Sequence, residues 1–331
     1  MKKIILLLLF LFIKGFSQGV LPVSRYTIGA QPLLNESPTT STFAYSLRKL
    51  KTSYSGYALR VRNINNNSTA DIFFDTSDIV SNKSSAVIVV KGSSIYNVGQ
   101  NIPLSTFKGT EDLAVEIWYN QETTGYNAVQ NAAANQPLLD LAGGPASLPT
   151  LLFFGNNAYD SKYLVVQANI NSICPGGLGS FLMVTKPTAN IQQGSFGAID
   201  YENWRWSFHL NWDDGNLYFD AAEYCCQNYR NIYNNDMLNL WKQYSFVRGS
   251  FTKNIRTNAI ERIGSTGAVG ASPSYVNPYG FGIGISTNFD DPGNTTGYQG
   301  SISEVLMFQR ALNTQEIVKL ENNQMNYWKI R

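Results

Sequence analysis

Residues 203–220 read NWRWSFHLNWDDGNLYFD, and this stretch decides the fold. Large apolar side chains occupy every second position from 204 to 212, and mostly polar ones occupy the positions between them. A period of two is typical of a β-strand with one buried face. The apolar face carries Trp204, Trp206, Phe208, Leu210 and Trp212, and the other face carries Arg205, Ser207, His209 and Asn211. The apolar face is either core or a floor for sugar stacking, and the inward faces of β-sandwiches favour core.

The loop that follows has two possible roles. An Asp-Gly pair between two strands is typical of a hairpin turn. The same loop is rich in the oxygen ligands that calcium prefers. The hairpin turn is the favoured role, and in the alternative Asp213, Asp214 and Asn216 are candidate calcium ligands.

Strand patterning continues along the chain. Leu59 and Val61 alternate with Arg60 and Arg62, and residues 70–75 follow an Asn-rich turn, which predicts a hairpin. Further strands are predicted at 113–119, 151–154, 163–170, 181–185, 217–220, 244–252, 259–263, 281–286 and 301–309. No repeat or linker divides residues 18–331, so we predict one all-β sandwich domain with long loops.

A short helix is predicted near the C-terminus. Asn313 can cap it, and Glu316 follows three residues later, as in a capping box. Ile317, Leu320 and Trp328 fall on one stripe, so we expect the helix to pack on the rim of the sandwich.

The N-terminus has the pattern of an export signal: two lysines, an apolar run over residues 4–13, and small residues before a cleavage point at Gln18. We therefore predict a signal peptide over residues 1–17 and a protein that is secreted or held at the cell surface. Removing Lys2, Lys3 and Lys14 from the 25 basic residues leaves 22 against 23 acidic ones, a net charge of −1. This balance argues against nucleic-acid binding. No later run is long enough to span a membrane.

Histidine and cysteine usage limit the chemistry. The only histidine, His209, cannot form a multi-histidine zinc site. Cys225 and Cys226 are adjacent and Cys174 stands alone, so either the adjacent pair forms a vicinal disulfide or one of them bridges to Cys174.

Two blocks resemble the concanavalin A-like, laminin-G-like jelly rolls of secreted proteins. The first is the 203–220 stretch, and the second is GSISEVLMFQRALNTQEI from Gly300, together with the helix that follows. The resemblance implies a jelly-roll β-sandwich that binds or acts on polysaccharide.

The N-terminal half resembles the catalytic domain of alpha-L-arabinofuranosidase B, in Tyr45–Arg48 through Gly56 and in WYNQETTGYNAVQ from Trp118. That family reads YDQSGNGN in the second block, where this chain has Asn120 in place of the Asp. The resemblance implies a sugar pocket that includes Tyr119, Asn120, Gln121, Cys225 and Cys226. Trp212, on the apolar face of the 203–220 stretch, is a further candidate for sugar binding.

Glycoside hydrolysis needs two carboxyl groups. The family's acid follows a Gly-Ile-Gly strand, and here Gly282-Ile283-Gly284 precedes Asp290 and Asp291. Asp220 and Glu223, beside the cysteine pair, are candidates for the second carboxyl group.

Three functions are consistent with the sequence. The first is a secreted jelly-roll protein that binds polysaccharide without cleaving it, and the departure at Asn120 and the lack of a matched nucleophile favour it. The second is an arabinofuranosidase-like hydrolase. The third is an envelope or adhesion protein that binds another protein.

Overall fold

The structure is a computed structural model, and it describes residues 31–155, 157, 160–198, 205–223, 230–236, 238–266, 280–286 and 297–331. The predicted signal peptide, Trp204, Cys225, Cys226, Asp290 and Asp291 lie outside these residues. Glu223 is described as the last residue of a strand, without its side chain.

The described residues form mainly β-strands. The strands are β1 Phe43–Ser46, β2 Leu59–Asn63, β3 Thr69–Ile72, β4 Ser85–Val90, β5 Asn101–Pro103, β6 Leu113–Trp118, β7 Ala128–Val129, β8 Leu138–Asp140, β9 Thr150–Phe153, β10 Leu164–Val166, β11 Gly179–Pro187, β12 Phe196–Ala198, β13 Arg205–His209, β14 Asn216–Glu223, β15 Asn231–Asn234, β16 Lys242–Arg248, β17 Thr252–Thr257, β18 Ile260–Thr266, β19 Phe281–Ile283 and β20 Gly300–Phe308. The helices are α1 Leu104–Lys108, α2 Ile170–Ile173 and α3 Thr314–Trp328.

The strands pair antiparallel in one hydrogen-bonded network that folds over on itself into two layers. Layer A has the order β18-β17-β16-β11-β20-β1. Layer B has the order β15-β14-β13-β12-β19-β10-β7-β6-β2-β3-β4-β5. Strands β9 and β8 join the layers, because β9 pairs with β20, and β8 pairs with β9 and β6.

The core lies between the layers and is strongly aromatic. Phe208 of layer B stacks on Phe246 of layer A, with ring centroids 4.1 Å apart and an interplanar angle of 3°. The ring centroid of Phe181, also in layer A, lies 4.7 Å from that of Phe208. Trp206, Phe208 and Leu210 are fully buried, as predicted for the apolar face. The all-β sandwich with a C-terminal helix is confirmed, and membership in the concanavalin A-like superfamily stays a prediction.

The predicted hairpin is confirmed, since β2 and β3 pair antiparallel across the Asn-rich turn. Several predicted strands are shorter than expected, and in two of them the local cause is clear. The 163–170 stretch ends as a strand at Val166, and Asn169 caps α2 by accepting a hydrogen bond from the Asn171 backbone N–H. The 244–252 stretch is broken after Arg248 by a tight turn in which the Gly249 N–H donates to the Thr252 carbonyl.

The C-terminal helix has the predicted capping box between Asn313 and Glu316. Ile317 and Leu320 belong to a second apolar cluster on the outer face of layer A, with Leu182 and Leu306, whereas Trp328 belongs to the main core. No helix within the described ranges is long and apolar enough to cross a membrane.

Candidate functional site

The outer face of layer B, opposite the core, carries a row of cross-strand partners. Direct partners in a sheet point to the same face, and their chain neighbours point to the other. The neighbours Leu59, Trp118, Val166, Phe208 and Phe219 are core residues, which places the row on the outer face. In sheet order the row is Val87, Asp71, Arg60, Ile117, Val129, Val165, Gly282, Gly197, Ser207 and Asp220.

One end of this row forms a polar and aromatic cluster, which we call the Tyr218 platform: Trp212, Tyr218, Asp220 and Arg230. Asp220 is fully buried, and its two carboxylate oxygens accept hydrogen bonds from Nε and Nη2 of Arg230. The Arg230 guanidinium lies 4.7 Å from the centroid of the Tyr218 ring, a cation–π arrangement. The ion pair therefore supports a half-buried tyrosine ring at the protein surface.

Trp212 extends the platform. Strand β13 ends at His209, so the alternation predicted to bury Trp212 stops before it, and its side chain is half-buried. Its ring lies 4.9 Å from the His209 ring and 6.4 Å from the Tyr218 ring, edge-on to both. Trp212 is thus accessible for sugar stacking, while Trp206, Phe208 and Leu210 of the same apolar face are buried.

Buried amide side chains fix the loop that carries Trp212. Gln193 donates to the Asn211 carbonyl at 2.7 Å and accepts from the Gln299 backbone N–H at 2.8 Å. The Asn211 amide donates to the Asn235 carbonyl at 3.0 Å, and the Asn235 amide donates in return to the Asn211 side-chain oxygen. These buried bonds hold Trp212 in position before any ligand arrives.

The Asp213–Asn216 loop is a turn between β13 and β14, as predicted. Asp214 Oδ1 accepts from the Asn216 backbone N–H at 2.9 Å, and Oδ2 accepts from the Asn216 amide and from the Tyr218 hydroxyl. Burial on its own would raise the pKa of Asp214, but these hydrogen bonds outweigh it and lower the pKa below its ordinary value. The bond to Asp214 raises the pKa of Tyr218. Both Asp214 oxygens thus serve the turn and the platform.

Calcium binding by this loop stays a prediction. Asp213 accepts a hydrogen bond from Gln192 at 3.0 Å, and the Asn216 side-chain oxygen accepts one from Asn234. Among the residues that the structure describes, no three or more His, Cys, Asp or Glu side chains gather as ligands for a metal ion. The described side chains of the turn therefore fit a hydrogen-bonded turn better than an ion site.

The other end of the row forms a second cluster, the Tyr119 platform: Tyr57, Arg60, Asp71, Phe73 and Tyr119. Arg60 binds Asp71 through Nε and Nη2, at 2.8 and 2.9 Å. The Tyr119 hydroxyl donates to Asp71 at 2.7 Å, and burial together with this bond raises the pKa of Tyr119. The Tyr57 ring lies 4.5 Å from Phe73 and 5.8 Å from Tyr119.

Asn120 and Gln121, predicted to touch substrate, are buried. Asn120 accepts from the Ala44 backbone N–H at 2.8 Å and donates to Thr124 at 2.7 Å. Gln121 accepts from the Leu50 N–H at 2.6 Å and donates to the Arg48 carbonyl at 2.9 Å. Their amides tie loops together, so a role for them in substrate binding stays a prediction that needs these bonds to open.

The remaining predicted site residues are only partly placed. Of the four candidate catalytic carboxylates, Asp220 is the one whose side chain the structure describes, and Arg230 engages both of its oxygens. Cys174 is a buried free thiol, so the predicted alternative in which it forms a disulfide is wrong. The vicinal Cys225–Cys226 disulfide stays a prediction.

Sequence reasoning missed Arg230, Arg60 and Asp71. The available signal for Arg60 and Asp71 was the β2–β3 hairpin itself, whose register places them side by side. No comparable signal existed for Arg230, because no strand was predicted at β15, whose pairing with β14 brings Arg230 to Asp220.

Solved structures with a similar fold include arabinofuranosidases. The chain is similar to an arabinofuranosidase solved in complex with arabinofuranosyl-alpha-1,2-xylobiose, with 14% identity and a TM-score of 0.58, over 91% of this chain and 65% of that one. It is also similar to a GH54 α-L-arabinofuranosidase soaked with a cyclic sulfate inhibitor, with 15% identity, a TM-score of 0.53 and the same coverage. These likenesses show the fold alone.

The chain spans about two-thirds of the length of these two solved chains, at 65% of each. No family model matches the sequence. No curated protein sequence matches it either.

Proposed function

We propose that this is an exported protein that binds neutral plant or microbial polysaccharide through the outer face of layer B. Residues 1–17 would direct its export, to the medium or the cell surface. The observation that carries the proposal is the Tyr218 platform, in which half-buried Trp212 and Tyr218 rings lie beside an ion pair whose charges cancel. Aromatic rings pack on the apolar faces of sugars, while neighbouring polar groups bond their hydroxyls.

Binding without cleavage is favoured over hydrolysis by the state of Asp220. A nucleophile or general acid needs an oxygen directed at the reacting sugar. Arg230 donates to both Asp220 oxygens, so this carboxylate is held as an ion-pair partner. Asp220 therefore supports a binding surface better than a catalytic pair.

Hydrolysis of arabinofuranosyl branches is the second candidate. The similarity to two solved arabinofuranosidases over 91% of the chain favours it over other reactions. In this alternative Asp290 or Asp291 acts as the acid, with Glu223 or Asp220 as the partner.

The test uses purified residues 18–331 with arabinan, arabinoxylan and unbranched glucans. It measures both released sugar and depletion of the protein onto insoluble polymer. We expect depletion without release, and weaker depletion for Trp212→Ala than for Trp212→Phe, which retains an aromatic ring. Arabinose release that is abolished by Asp290→Asn or Asp291→Asn would establish the hydrolase instead. Neither depletion nor release would contradict both candidates and favour a protein partner.

A further inference from the structure

The two ends of the row repeat one arrangement. At each end a buried aspartate is held by both Nε and Nη2 of an arginine, and a half-buried tyrosine contacts the pair. Tyr119 makes this contact through its hydroxyl, which donates to Asp71, and Tyr218 makes it through its ring, which faces Arg230. On the outer face of layer B, the arrangement proposed to support sugar binding at the Tyr218 platform is thus present twice.

From this repetition we infer that the Tyr119 platform is a second carbohydrate-binding site, separate from the Tyr218 platform and with the same class of ligand. This inference rests on the proposed function.

The three aromatic rings of the Tyr119 platform lie next to one another, with interplanar angles of 50° and 45°. Tyr57 lies between Phe73 and Tyr119, and all three side chains are half-buried. Asp71 fixes Tyr119 by its hydroxyl, so the ring loses little further freedom when a ligand binds. Such a prearranged surface suits the flat apolar face of a sugar ring.

The charges around the platform balance, which selects a neutral ligand. Arg60 pairs with Asp71. Glu116 lies on β6 between Ala114 and Ile117, which are the cross-strand partners of Arg62 and Arg60. The two arginines are thus matched by two carboxylates. An anionic ligand such as a phosphate or a uronic acid would find no excess positive charge here.

The two platforms are too far apart for one short oligosaccharide. Eight strand-to-strand steps separate Asp71 on β3 from Asp220 on β14. At about 4.8 Å a step this is about 38 Å along the sheet. The middle of the row, at Gly282, Gly197 and Ser207, is buried. A trisaccharide therefore occupies one platform or the other, and each platform binds its own.

Binding stoichiometry tests this inference. Residues 18–331 are titrated by calorimetry with arabinofuranosyl-xylobiose, arabinotriose and cellotriose. We expect wild type to bind two molecules of at least one trisaccharide, Trp212→Ala and Tyr57→Ala to bind one each, and the double variant to bind none. Trp212→Phe and Tyr57→Phe retain the rings and should still bind two. Phe73→Ala repeats the test on the same platform if Tyr57→Ala does not fold.

The outcomes separate the two proposals. A wild type that binds one trisaccharide, lost with Trp212→Ala and kept with Tyr57→Ala and Phe73→Ala, overturns the second site and leaves the proposed function standing. Two sites that both survive Tyr57→Ala and Phe73→Ala also overturn it. A wild type that binds none of the three trisaccharides contradicts the proposed function itself.

Discussion

The Glu304–Arg48 pair and the Asp220–Arg230 pair use the same chemistry in different surroundings. In both, an arginine binds a buried carboxylate with two nitrogens and packs against a tyrosine ring, Tyr327 at 4.2 Å in the first and Tyr218 at 4.7 Å in the second. Glu304 also accepts from Ser46 and Trp328, and Tyr327 and Trp328 belong to α3. Helix α3 covers the first pair, whereas the arginine of the second pair lies nearer the surface.

The exposed fraction of the arginine side chain therefore distinguishes a pair that stabilises the fold from a pair that holds surface aromatic rings in place. The Arg48 side chain is 2% exposed and the Arg230 side chain 14%. A third pair, Arg310–Glu316 at the start of α3, has its arginine 41% exposed. The cost of breaking each pair should fall in this order.

The largest effect is expected from Arg48→Met. It leaves the Glu304 charge buried without its main partner, which costs about 3–5 kcal/mol of unfolding free energy. Urea unfolding measures it, with Lys49→Met as the matched control, because the Lys49 ammonium lies 3.7 Å from the exposed carboxylate of Asp78. A loss within 1 kcal/mol of the control would contradict the structural role of this pair.

Asp220→Asn should cost less. The amide keeps the shape of the side chain and can still accept from Arg230, so we expect a loss of about 1.5–3 kcal/mol, typical of a charge-assisted hydrogen bond. Polysaccharide affinity should fall with it, because Arg230 and the Tyr218 ring lose their anchor. Unchanged affinity in a folded variant would mean that the ion pair does not support the binding surface.

Trp212→Ala is expected to act on binding alone. Trp212 is half-buried and lies outside the core, so the melting temperature should change little. Affinity for polysaccharide should fall about tenfold or more, as when an aromatic anchor is truncated. Binding isotherms with insoluble polymer measure this. An unchanged isotherm would remove Trp212 from the site.

The smallest effect is expected from Glu316→Gln. The Arg310 guanidinium and the Asn313 backbone lower the pKa of Glu316 in the folded state, so its charge stabilises the fold above the ordinary glutamate pKa. That contribution is lost as the pH falls through the lowered value. Glutamine can keep the capping box, so we expect a loss of about 0.5 kcal/mol at neutral pH and no difference from wild type in acid. A difference that persists in acid would contradict the electrostatic origin.

Local patterns in the sequence predicted much of the fold. The alternation through Trp206 and Phe208 located a core strand, and Asn313 with Glu316 located the helix start. Both depend on neighbours within a few residues. The enclosed ion pair joins residues 256 positions apart, which no local pattern encodes.

The candidate site was less predictable for the same physical reason. Trp212 was assigned to a site and also to the apolar face of a strand, and only the end of β13 at His209 decides between them. Asn120 and Gln121 are polar, which suggested a ligand role, but backbone groups of distant loops take up their hydrogen bonds. Asp220 meets Arg230 only through the pairing of β14 with β15.

A crystal structure of residues 18–331 with a bound trisaccharide tests the central claim most directly. The trisaccharide is the one with the highest affinity in the calorimetric panel. We predict sugar rings packed on Trp212 and Tyr218 at one end of layer B, and on Tyr57 and Tyr119 at the other. Sugar bound over helix α3 or on the outer face of layer A, with both platforms empty, would contradict the account.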